Sequence, residues 1–162
     1  MRHALAPGIR PDPPGFRLGD CATQRNLSDE GRELARRTGA ELARHGFRAT
    51  RVLTSEWCRC RETAELLSLG PVETMPMLNM FFPVRTEKAR QQEAMRAERE
   101  NVALERYLAG LGADERVVLV THSSNIAWMT RGDEPKSGAG IVLKLDSGGK
   151  HRVVGVLEFS GK

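Results

Sequence analysis

The sequence predicts an α/β fold in three layers: a mostly parallel central sheet flanked by helices, with an antiparallel hairpin at the C-terminal end. Three observations predict it. Short β-type runs, "RVLTS" (51–55) and "RVVLVTH" (116–122), alternate with longer stretches of helical period. The second run is nearly all β-branched or leucine, the composition of a parallel strand covered on both faces. "GIVLKLDSGGKHRVVGVLEF" (140–159) reads as two strands joined across "SGGK".

Ala6 to Asn26 holds four prolines and three glycines, which exclude a helix or an inner strand and predict a long ordered loop. Ser28 is an N-cap, with Asp29 and Glu30 suited to the positive end of the helix it opens. Gly31, Leu34, Ala35, Thr38 and Leu42 form the inner stripe of that helix, which stops at Gly46. His45 then lies at its C-terminal end, facing the dipole. After "RVLTS", "EWCRCRETAELLSLG" predicts a helix ending near Gly70, and "VETMP" a short strand. Thr86 to Leu111 is a charge-dense helix with a possible break near Asn101, and "SNIAWMT" a short one. His151, just past the final turn, is expected to be exposed.

At 162 residues the chain has the length of one domain with a real core. A formal charge of +4 suits anionic small substrates, and no aromatic-rich basic motif accompanies it, so nucleic acid is not an expected partner. No apolar run reaches the roughly 18 residues of a membrane span, and no signal peptide is visible. Cys21, Cys58 and Cys60 are too few for a four-ligand zinc site. They read equally as three buried thiols or as one disulfide plus a free thiol.

In such sheets ligands bind beyond the carboxyl ends of the strands. His3 with Arg2 reads as a strand end, Ser55 closes "RVLTS", His122 closes "RVVLVTH", and Arg59 lies one helical turn beyond Ser55. Two imidazoles and two guanidiniums converging there match the needs of phosphoryl transfer. Arginine stays charged and grips two oxygens at once. A neutral imidazole nitrogen can attack phosphorus, and a second can donate to the equatorial oxygens. Backbone N–H groups opening a helix at Ser123 and Ser124 can cradle a further oxygen.

The arrangement resembles the histidine phosphatase superfamily, the phosphoglycerate-mutase-like enzymes. The resemblance rests on Arg2-His3, on "NLSDEGRELA" (26–35), on Ser55, Arg59, Thr63 and Ala64 within "SEWCRCRETA", and on "VLVTHSSNI" (118–126). "GDCATQRNLSDEG", "SEWCRCRETA" and "MLNMFF" look like a bacterial branch that includes lipopolysaccharide core heptose phosphate phosphatases, often exported. The resemblance implies a phosphoric monoester hydrolase acting through phosphohistidine on a small phosphorylated substrate, a sugar phosphate among the candidates. His3 would be the nucleophile, Arg2 and Arg59 would bind phosphate, and His122 would hydrogen-bond the transferring group. Arg25, Asn26 and Ser123 would line the pocket, and neither metal nor cofactor is implied. In an exported protein, Cys21 would pair with Cys58 or Cys60 and pin the loop over the pocket.

Two departures stand out. The superfamily's general acid is commonly a Glu two residues after a leucine, where this chain has Met80. Glu87 is the nearest downstream carboxylate, either the acid or a solvated helix-start residue. Relatives also carry an apolar strand before Arg-His, whereas here Met1 stands alone. The expectation is one domain over 1–162 lacking its first strand, periplasmic if an export segment is missing, or a sheet that tolerates the loss or is completed by another chain. A catalytically weak phosphate-ligand-binding relative and a protein phosphohistidine phosphatase are the alternative functions.

Overall fold

β1 (Arg51–Thr54) is the middle strand of a parallel sheet in which β2 (Val72–Thr74) and β3 (Val117–Val120) flank it. The computed structural model describes residues 1–8, 12–81, 86–132, 134–146 and 149–159. Parallel neighbours need crossovers. α2 (Cys58–Leu67) supplies the one between β1 and β2, and α3 (Glu87–Ala109) lies in the connection that carries the chain from β2 past β1 to β3 on its other side. β1 is buried on both faces. Val52 packs with Trp57, Cys60, Ala64 and Leu67 on one side, and Leu53 with Leu78, Leu104 and Ile126 on the other. Full burial of each such side chain contributes about 1.5–3 kcal/mol, so β1 is the ridge against which the site is set.

β3 departs from expectation. Only Val120 is fully buried, while Val117, Val118 and Leu119 are half-covered. β1 pairs along one edge of β3, Val52 with Val118 and Leu53 with Leu119. On the other edge Met1–His3 meets only its C-terminal end. The His3 N–H donates to Thr121 O (3.0 Å), the Thr121 N–H to Met1 O (3.0 Å), and the Arg2 N–H to Ala139 O (3.0 Å). Arg2-His3 is thereby held in extended form between the end of β3 and the segment leading into β4.

α1 (Asp29–Arg44) begins as the cap predicts, with Ser28 Oγ accepting the Gly31 N–H at 3.1 Å. Its buried stripe is Gly31, Ala35, Thr38 and Gly39, with Leu34 and Leu42 half-buried at the margins. Glycine is required at two of these positions, because a Cβ on Gly31 would lie 2.0 Å from Leu5 O and one on Gly39 2.0 Å from Leu67 O. α1 can therefore lie directly on the extended segment that follows His3 and on the end of α2. α2 starts two residues later than predicted and ends earlier, at Leu67, because Ser68 turns left-handed (φ 50°). α3 runs unbroken through Asn101, which is buried.

α4 (Ser123–Thr130) follows β3, and β4 (Gly140–Leu145) and β5 (His151–Leu157) form the antiparallel hairpin. Ser147 and Gly148 of its turn lie outside the described residues. His151 is half-buried instead of exposed, because the hairpin lies against α4 and the ring Nε2 donates to Met129 O at 2.7 Å. His45 does cap α1, exposed and 3.0 Å from Glu41. Among the described residues no helix is long and apolar enough to cross a membrane.

The loop from Ala6 to Asn26 is irregular apart from a 3-10 turn at Cys21–Thr23, and its residues 9–11 lie outside the described set. Cys21 is joined to Cys58, and Cys60 is a buried free thiol. Denatured without reductant, the protein is expected to expose one titratable thiol, and three after reduction. Three thiols before reduction would contradict the pairing.

Candidate active site

The strand ends converge. Arg2-His3 lies beside the end of β3, His122 caps the start of α4, Ser55 follows β1, and Arg59 sits in the first turn of α2. The His3 and His122 ring centroids are 5.5 Å apart, nearly edge to face, and Trp57 lies 5.4 Å from His122. His3, His122 and Arg59 are 4%, 3% and 1% exposed, so each polar atom needs an account.

The hydrogen bonds assign the imidazole tautomers. His3 Nδ1 is 2.8 Å from Ala4 O, and a carbonyl only accepts, so Nδ1 carries the proton and the Nε2 lone pair is free. The Ala4 N–H in turn donates to Thr63 Oγ1 (3.0 Å), whose hydroxyl donates to Arg59 O (2.7 Å). Thr63 thus ties the His3 segment to the helix turn that carries Arg59. At His122, Nε2 is 3.0 Å from Ser55 Oγ and 3.4 Å from Cys60 Sγ. The Ser55 hydroxyl donates to Asn79 Oδ1 (3.1 Å) and accepts the Trp57 N–H (3.2 Å), so the proton between Ser55 and His122 belongs to Nε2. Asn79 is fixed by its own bonds: Nδ2 donates to Glu56 Oε2 (2.6 Å), and Oδ1 also accepts the Glu56 N–H (2.9 Å). The nitrogen of His122 left bare is Nδ1.

Burial dominates the protonation of both rings. It pushes His3 down to about 3, helped by the charges of Arg59, Arg2 and Arg25 and opposed by the bond to Ala4 O. His122 is driven well below the usual histidine range by burial and then by Arg59. Both are neutral near pH 7.

The guanidiniums are only partly engaged. Arg59 Nη1 meets both oxygens of Asp12 (2.9 and 3.1 Å), Arg25 Nη1 donates to Ala6 O (3.3 Å) and Gly8 O (3.0 Å), and Arg2 Nη1 to Pro135 O (3.2 Å). In all three, Nε is buried with no partner among the described residues. Three cationic donors unpaired among the described residues, beside two neutral rings, can receive the oxygens of an anion.

Of the other predicted site residues, Ser123 opens α4 half-buried, and Asn26 donates from Nδ2 to Cys21 O (2.7 Å), holding the loop. Glu87 is not brought into this group. It stands in the first turn of α3, its side chain 72% exposed beside Arg90. Met80 Sδ lies 3.8 Å from Arg59 Nη2. Sequence reasoning missed Asp12 and Asn79. Asp12 reads as a turn residue among prolines, whereas Asn79 adjoins the motif position of Met80 and could have been suspected. No three His, Cys, Asp or Glu side chains among the described residues are grouped to hold a metal ion.

A family model, the histidine phosphatase superfamily (branch 1), matches residues 20–107. The chain belongs to that superfamily. Solved structures share its phosphoglycerate-mutase-like fold at low identity. The protein histidine phosphatase SixA in complex with tungstate is 20% identical with a TM-score of 0.64, covering 97% of this chain and 93% of that one. The alpha-ribazole phosphatase from Shigella flexneri is 17% identical, TM-score 0.64, covering 97% and 93%. A mycobacterial glucosyl-3-phosphoglycerate phosphatase is 14% identical, TM-score 0.60, covering 94% of each. No curated protein sequence matches the chain.

A histidine phosphatase whose two site imidazoles stay neutral in the fold becomes less stable in acid. The unfolded chain takes up protons below the ordinary value of 6.5, while folded His3 does so only near 3. Each such ring therefore withdraws about 1.4 kcal/mol of stability per pH unit across that window. The urea midpoint is expected to fall steadily as pH drops from about 6.5 to about 4, and to fall less in His3→Gln. Equal slopes in the two proteins would contradict the assignment.

Proposed function

We propose that this histidine phosphatase hydrolyses phosphate monoesters through a phosphohistidine on His3. The observation that carries the reading is the trio of buried guanidinium Nε–H groups on Arg2, Arg25 and Arg59, unpartnered among the described residues, beside two neutral imidazoles. A phosphate ester needs several donors that remain charged, and these three supply them in a low-dielectric setting.

His3 Nε2, with its lone pair free because Nδ1–H is tied to Ala4 O, attacks phosphorus. An N–P bond forms as the P–O bond to the leaving group breaks. Water then attacks the phosphorus, the N–P bond breaks, and inorganic phosphate leaves. His122 presents a bare Nδ1, so it accepts the P–OH proton of a monoanion. A bound dianion favours the imidazolium, so the ring takes a proton from solvent as the dianion binds and then donates from Nδ1 while the transition state spreads charge over the equatorial oxygens. Ser55 keeps its Nε2–H engaged throughout.

Met80 stands where relatives place the acid, and a missing general acid costs about 10²–10⁴ in rate. This favours substrates whose leaving groups depart without help: acyl phosphates, aryl phosphates and phosphohistidine. The last makes a protein phosphohistidine phosphatase the second reading, and SixA, one structural relative, is named a protein histidine phosphatase. Sugar phosphates, with poor leaving groups, would turn over more slowly.

p-Nitrophenyl phosphate is expected to be hydrolysed, with kcat reduced by at least about 10³ in His3→Ala. Comparing kcat/KM for a phosphohistidine peptide and a sugar phosphate then separates the two readings. Vanadate binding with no turnover of any of these would identify a phosphate-binding relative and contradict both.

A further inference from the structure

The loop after His3 is fastened to three consecutive residues at the start of α2. Trp57 Nε1 donates to Asp12 Oδ2 (3.2 Å), Cys58 carries the disulfide to Cys21 and donates its N–H to Gln24 Oε1 (3.0 Å), and Arg59 Nη1 meets Asp12. Asp12 takes two of these ties and also accepts the backbone N–H of Arg25 at 2.9 Å, so one carboxylate holds the guanidinium of Arg59 and the main chain of Arg25. Its side chain is 3% exposed and that of Arg59 is 1% exposed.

We propose that Asp12 is a positioning residue that sets the orientation of Arg59 toward the phosphate, and with it the grip on the substrate. The proposal rests on the phosphatase reading of the site. Its geometric basis is which edge of the guanidinium the carboxylate uses. Both Asp12 oxygens lie on Nη1 alone, which leaves the parallel Nε–H and Nη2–H edge. Among the described residues Nε has no partner and Nη2 makes only the 3.8 Å contact with Met80 Sδ. That edge is the two-donor fork that fits two phosphate oxygens. A carboxylate competing with phosphate would occupy the fork, whereas this one clamps the opposite side. Burial by itself would raise the Asp12 carboxyl, yet the Arg25 N–H, the Arg59 charge and the Trp57 N–H together hold it below the usual carboxylate range. The clamp is thus charged at any pH where the enzyme would work.

The test compares wild type, Asp12→Asn, Asp12→Glu and the double variant Cys21→Ser/Cys58→Ser. Inorganic phosphate affinity is read by calorimetry, kcat and KM with p-nitrophenyl phosphate, and folding by thermal melt. Asp12→Asn keeps the size but loses the charge, and is expected to weaken phosphate binding about tenfold or more and to raise KM while lowering kcat. Asp12→Glu is expected to restore part of both. The double variant loosens the same loop without touching Arg59, and its phosphate affinity is expected to stay within about threefold of wild type.

Unchanged or tighter phosphate binding by Asp12→Asn would overturn the proposal and make Asp12 an internal competitor. An equal loss in the double variant would overturn it in favour of loop anchoring alone. If Asp12→Asn fails to fold, Asp12→Glu decides: a weakening of about threefold or more supports the clamp, and an unchanged affinity overturns it. Wild-type protein that binds phosphate without hydrolysing it contradicts the phosphatase reading and leaves the affinity comparison intact. Wild-type protein that binds no phosphate removes both.

Discussion

The site depends on keeping two imidazoles buried, adjacent and neutral next to fixed positive charge. No carboxylate contacts either ring among the described residues. His3 is held by a backbone carbonyl and His122 by a serine hydroxyl. A carboxylate partner would stabilise imidazolium and remove the lone pair that the neutral ring keeps free. Burial and the neighbouring guanidiniums do the opposite. On the proposed reading, instability toward acid is the cost of a nucleophile that is ready at neutral pH.

Much of the remaining architecture serves to hold that group in place. β1, buried on both faces, fixes Ser55 at its end, and the parallel register with β3 brings His122 alongside. Gly31 lets α1 lie against Leu5, directly after the His3 segment, where any side chain would strike backbone. Thr63 couples the Ala4 N–H to the turn bearing Arg59. The loop closes the remaining side through ties on Trp57, Cys58 and Arg59. The two histidines come from segments far apart in sequence, so no local element can position them. These tertiary ties must do so.

The parts of this arrangement legible in the sequence were those set by local chemistry. The Ser28 cap, the strand runs at 51–55 and 116–122 and the final hairpin follow from capping, β-branching and turn composition. The meeting of His3, Arg59 and His122 was legible because the strand ends of one parallel sheet face one crevice. What depended on distant contacts was not. Half-exposure of β3 reflects how little of its second edge meets Met1–His3, which no composition within the strand reveals. The choice of Cys58 over Cys60 follows from helix geometry, since residues two apart point about 200° from each other. One faces the loop and the other the core beside His122. Asp12 was hidden for a similar reason: a carboxylate in a proline-rich loop signals a turn until the fold carries it onto Arg59.

The central claim is that His3 Nε2 bonds covalently to phosphorus. The most direct measurement is alkali-quenched trapping after mixing with a phosphate monoester, followed by mass spectrometry of the protein digested without acid. The account predicts an added phosphoryl group that is lost in acid, survives alkali and maps to His3. A phosphoryl group on another residue, or turnover with no phosphoenzyme at any quench time, would contradict it.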